Sequence, residues 1–167
     1  MAALDNRPMW RTCAVVTAAI TFGAGCAPEL NWREVRTGAT GVIQLFPCKP
    51  VRQQRLLRLA GREVTMVLHV CDADGVSWAQ SYADVGDPAV VDAALQALVD
   101  GAHANLRATR TAARPAAIAG ATPHAASGRC QLQGLSPADR RDVSAALVVF
   151  AHGTVVVQVT AIGSRPA

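Results

Sequence analysis

The sequence predicts an α+β domain, an antiparallel sheet of about six to eight strands with at least one helix packed on it. Three observations lead there. Apolar segments of strand length recur along the chain, most of them separated by glycine-bearing turns. One stretch, from Asp87 onward, switches to helical periodicity. Strand segments lie on both sides of that stretch, the order expected when a helix lays its apolar stripe on one sheet face.

The elements follow in order. Trp32 to Arg36 alternates and reads as a first strand. Gly41 to Phe46 is a short apolar strand stopped by Pro47. Arg52 to Leu59 is extended and basic, and Gly61 turns the chain. Val64 to Cys71 is the strongest strand. Val64, Met66, Leu68 and Val70 share one face, and Thr65, Val67, His69 and Cys71 share the other. Asp72-Ala73-Asp74-Gly75 makes a turn, and Val76 to Val85 returns as a hairpin partner. Asp87 then caps a helix whose first position is Pro88, where the missing N–H costs nothing. Val91, Ala94, Leu95, Leu98, Val99 and Ala102 recur at helical spacing, and the pattern reaches Leu106 despite Gly101. Residues 107–128 read as a loop with a short strand at Ala116 to Ala119. Arg129 to Leu135 is a strand, and Ser136 to Asp139 a turn. Val143 to Ala151 and Thr154 to Ile162 form a terminal hairpin across His152-Gly153. From Gly163 the tail is expected to fray.

The first 25 residues have the grammar of an export signal. Arg7 and Arg11 precede an uncharged apolar run from Cys13 to Phe22, which ends in Gly23-Ala24-Gly25 before Cys26. The run is about half the roughly 20 residues a spanning helix needs. Cys26 stands where a bacterial lipoprotein signal carries its lipidated cysteine. Gly23 departs from the branched residue that such motifs prefer there, so plain cleavage after Gly25 or Ala27 is the alternative. Met9 is an alternative start. Acylation of Cys26 implies a membrane partner held through lipid. With Ala27 next, it implies export to the periplasmic face of an outer membrane. The resulting organisation is signal 1–25, tether and first strand 26–38, one α+β domain 39–163, and tail 164–167.

Without the signal the chain carries a net charge of about +3, too mild and too dispersed for a nucleic-acid partner. Apolar residues make up 51% of the sequence, ample for one core. Four cysteines remain beyond the signal: Cys26, Cys48, Cys71 and Cys130. In an oxidising compartment the favoured disulfide is Cys48 to Cys71, from the end of one strand to a residue within another. The alternative is two buried thiols acting as small hydrophobes. There is no C-x-x-C to support redox or zinc chemistry.

Val42-Ile43-Gln44-Leu45-Phe46-Pro47 resembles the "F-x-V-x-F-P" opening of PsbP-like α/β/α-sandwich domains. The hairpin that follows, the helix after Tyr82-Ala83-Asp84 and the late apolar run Val156 to Thr160 fall in the same order. The resemblance implies a PsbP-like sandwich fold. It also implies an accessory or binding role with an envelope protein partner, as in envelope lipoproteins that share the domain.

No motif names a reaction. Asp72-x-Asp74-Gly75 echoes a calcium loop, but Val76, Ser77 and Ala83 occupy the places of its remaining ligands and glycine. His69, His103, His124 and His152 are not paired at metal spacing. His69 and Cys71 share a strand face without a third orienting group. No catalytic residue, metal ligand or cofactor is therefore assigned. Lys49, Arg52, Arg55, Arg58 and Arg62 form a basic stretch, either a charge-guarded edge strand or a contact for anionic headgroups. The expectation is a non-catalytic envelope lipoprotein with an accessory or binding role. The alternatives are a carrier of a small apolar ligand or lipid, whose pocket would lie between sheet and helix, and an enzyme with an unfamiliar site.

Overall fold

A computed structural model describes residues 30–110 and 114–164. The expected export signal 1–25 and the expected lipid site Cys26 lie outside them. The described chain is α+β. Strands β1 (Arg33–Arg36) and β2 (Ile43–Phe46) form a two-stranded ribbon. Strands β3 (Val51–Leu59), β4 (Arg62–Ala73), β5 (Val76–Asp84), β6 (Thr109–Arg110), β7 (Gly128–Leu135), β8 (Asp142–His152) and β9 (Val155–Ser164) form the main sheet. One helix, α1 (Val91–Leu106), links the two halves of that sheet. The strand order is β3-β4-β5-β9-β8-β7-β6, antiparallel throughout.

Turn chemistry sets the hairpins. Ala60-Gly61 and Asp74-Gly75 each carry two successive residues at positive φ. That backbone matches the twist of flanking strands and is cheap for glycine. The tight turns fix the register, so Val64 and Met66 land on one face and Val67, His69 and Cys71 on the other.

The first face carries the main core. Val64, Met66, Ala83, Val156, Leu147, Val149 and Leu132 pack against Val91, Ala94, Leu95, Leu98 and Val99 of α1. The helix starts as expected: the Asp87 carboxylate accepts from the Ala89 N–H at 2.9 Å, and Pro88 opens a 3₁₀ turn ahead of α1. It ends on Arg107 in the left-handed region, where the Arg107 and Ala108 N–H groups return to Ala104 and His103 carbonyls.

The second face is covered by the ribbon. Phe46 and Pro47 are fully buried beneath it. The Cys48–Cys71 disulfide fastens one end to β4, with Cα atoms 6.0 Å apart, confirming that pairing. Trp32 meets Trp78 edge to face at 6.0 Å between ring centres. The other end, Gly41 to Ile43, reaches Phe150 and His152 near the tip of β8. The layers are thus ribbon, sheet and helix.

Two expectations are corrected. Ala116 to Ala119 forms no strand. That loop is held at points instead: a bridge from Arg114 to Arg129, another from Thr122 to Ala151, and Asp92 accepting the Ala126 N–H at 3.0 Å. Gly163 does not fray. It pairs with Val76 and Ser144, and β9 runs on to Ser164. A Cβ on Gly163 would sit 3.1 Å from Val76, so this close approach favours glycine.

Candidate functional site

Helix α1 crosses the half of the sheet built from β7, β8 and β9. The helix-side face of β3 and β4 is left partly open, and a groove of about 310 Å³ runs between those strands and the second half of α1. Register builds its floor. Gln53, Leu68, Ser81 and Gln158 form one row across β3, β4, β5 and β9. Leu57, Leu59 and Met66 continue the floor toward the β3–β4 turn. Ala97, Leu98, Gly101, Ala102 and Asn105 make the helical wall. Arg55 stands at the open rim and is the one titratable side chain among the lining residues.

The groove joins the apolar side chains of Leu57, Leu59, Met66 and Leu68 to uncharged hydrogen-bonding groups: the amides of Gln53, Asn105 and Gln158, and the Ser81 hydroxyl. That combination is of the kind that suits an apolar body with a polar head. It offers no pair of groups for proton transfer. Gly101 is notable because a Cβ there would meet nothing within 4 Å. Glycine costs about 1 kcal/mol against alanine inside a helix, and no packing neighbour requires it here.

The opposite face holds a buried polar layer under the ribbon. His69 and Gln80 are register partners on β4 and β5, and both are buried. His69 stacks on Tyr82 at 6.1 Å. The Nδ1 of His69, both amide atoms of Gln80, the Nε1 of Trp78 and the Oε1 of Gln44 are buried without a hydrogen-bond partner among the described residues. Burial, and then the nearby Arg52 guanidinium, push the His69 pKa below its ordinary value. Cys71, the residue that a Cys–His pair would need, is consumed in the disulfide. Asp72 sits at the end of β4 and Asp74 in the turn. No group of three or more His, Cys, Asp or Glu able to hold a metal occurs among the described residues.

The five basic residues do not converge. Arg52 and Arg58 point to one face of β3 and Arg55 to the other, as the alternation demands. Arg62 is engaged with Asp87 at 3.2 Å. Lys49 is exposed ahead of β3. All lie along one edge of the sheet.

Sequence reasoning placed a pocket between sheet and helix only in its carrier alternative, without lining residues, and missed the polar layer. Signals for the groove were present. Ser81 and Gln158 fall in the core-facing phase of strands that otherwise place apolar residues there, and Gly101 interrupts the helix beside the stripe.

No family model, curated protein or solved structure matches this chain. No helix among the described residues is long and apolar enough to cross a membrane.

Proposed function

We propose that this chain is a non-catalytic accessory protein of the bacterial cell envelope that binds a small amphiphile in the groove between α1 and β3–β4. One observation carries the reading: a groove that sets leucine and methionine side chains beside uncharged amides and a hydroxyl, with a single titratable lining side chain. Such a site favours capture over chemistry. Export and acylation of Cys26 would tether the domain at the periplasmic face of the outer membrane. The Cys48–Cys71 disulfide supports an oxidising compartment. The PsbP-like resemblance points toward an accessory role as well. Release of the ligand to another site would make the protein a carrier, and the open side of the groove along β3 favours that version.

The test uses an environment-sensitive fluorescent fatty acid as reporter. The chain is expected to bind it, and Gly101→Leu is expected to weaken binding at least about tenfold while leaving the protein folded, since leucine is a better helix former and fills the groove. Equal binding by both proteins, or none by the unaltered chain, sinks the proposal. Mass spectrometry of the native N-terminus decides the tether: an unmodified Ala27 start excludes a lipid on Cys26.

A further inference from the structure

We infer that the free edge of β3 is a docking site for an extended acidic segment of a partner protein, which adds to the main sheet as a further strand. The strand order begins with β3, and among the described residues only β4 pairs with it. Its register with β4 is unbroken over nine residue pairs, from Val51↔Val70 to Leu59↔Arg62. Natural sheets usually blunt such an edge by shortening it or by placing a bulge or proline in it. This edge has none of those devices. It is long and regular, and it displays Val51 at 60% and Leu56 at 62% exposure.

Its only guard is charge, and charge is selective. Arg52, Arg55 and Arg58 are exposed, and β3 contains no acidic residue. Among the described residues Arg55 and Arg58 make no ion pair. A second copy of the chain is disfavoured: antiparallel pairing centred on Arg55 would set Arg55 against Arg55 and Arg52 against Arg58, and like charges directly opposite destabilise a sheet. An acidic strand meets the reverse situation. The arginines recur every third residue and so alternate between the two faces. A flat anionic surface approaching either face meets only part of the set, whereas a strand hydrogen-bonded to the edge meets all three. An antiparallel partner would carry acidic residues at positions 1, 4 and 7, with apolar residues at positions 3 and 8 opposite Leu56 and Val51.

The probe is a synthetic extended peptide with that pattern, added to the full chain. Amide hydrogen exchange and chemical shifts report on β3. The expected result is saturable binding with new protection of β3 amides. Arg52→Gln combined with Arg58→Gln should weaken it at least about tenfold, with an unchanged melting temperature, since glutamine sets no like charge opposite Glu63. Two N-methylated versions, blocked at alternate residues in opposite phases, should separate: the version that loses the bonded edge fails, and the other binds. Equal binding by both would show charge attraction without strand addition and would overturn the proposal. So would binding to phosphatidylglycerol vesicles with no response to the peptide, or a concentration-dependent dimer that protects the same amides.

Discussion

His69 shows what a single side chain can impose. It shares a strand face with Cys71, a pairing to which the sequence assigns no chemistry for want of a third group. The structure gives it burial, a stacked Tyr82 and an Nδ1 without a partner. Burial holds the imidazole neutral, so its folded pKa lies below the unfolded value of about 6.5. The unfolded chain then takes up the proton first as pH falls. The stability associated with a neutral His69 is complete above about pH 6.5 and is lost on acidification through the folded pKa. His69→Phe keeps a ring on Tyr82 and removes the titration. Urea titrations from pH 7 to pH 5 are expected to show a flatter decline in stability for His69→Phe than for the unaltered protein. Parallel declines would mean that another group carries the effect.

At the level of elements, the helix and its landing site are matched by one glycine. The end of α1 lies against β7, where a Cβ built on Gly134 would meet the Leu106 carbonyl oxygen at 2.2 Å and the Ala108 Cα at 3.0 Å. Both neighbours are backbone and cannot swing aside. Gly134→Ala must push the helix terminus off the sheet, and overpacking of this kind costs about 1–3 kcal/mol. Chemical denaturation should show that loss. Gly101→Ala, on the same helix with open space at its Cβ, should gain about 0.5–1 kcal/mol. The opposite signs of two identical substitutions are the check, and a gain at both positions would mean that α1 does not sit against Gly134. The strands and helix were legible because their periodicities are local. The close approach at Gly134 was not, because it joins residues that are distant in sequence.

For the molecule as a whole, the ribbon is the element with the weakest claim to its place. Outside the disulfide it rests on Phe46, Pro47, the contact between Trp32 and Trp78, and the approach of Gly41 to Ile43 to Phe150 and His152. Ile43 and Leu45 on its outer side stay exposed. The disulfide spans 23 residues of sequence, and closing a loop of that size contributes about 3 kcal/mol in the chain-entropy model. Cys48→Ser with Cys71→Ser should lower global stability by about 2–4 kcal/mol. It should also expose the β4–β5 amides under the ribbon to exchange, while the helix-side core stays protected. Uniform loss of protection across both faces would show that ribbon and core unfold as one unit.

The sequence by itself determined the α+β class, the order of the longer elements, the two-faced β4 and the capped start of α1. Each rests on a period or a turn residue that neighbours in sequence decide. Strand placement favours the Cys48–Cys71 bridge but leaves two free thiols open, and no pattern marks β6; the fold decides both. Only the tertiary structure decided that β1 and β2 leave the main sheet to cover its second face. It also decided that the loop around Ala116 is pinned rather than paired, and that α1 covers half of its sheet. Those outcomes depend on which surfaces meet and how much area each can bury. A single strand of sequence does not carry that information, because the competing arrangements use the same local patterns. The groove and the open β3 edge both follow from the off-centre helix and from β3's place at the end of the strand order.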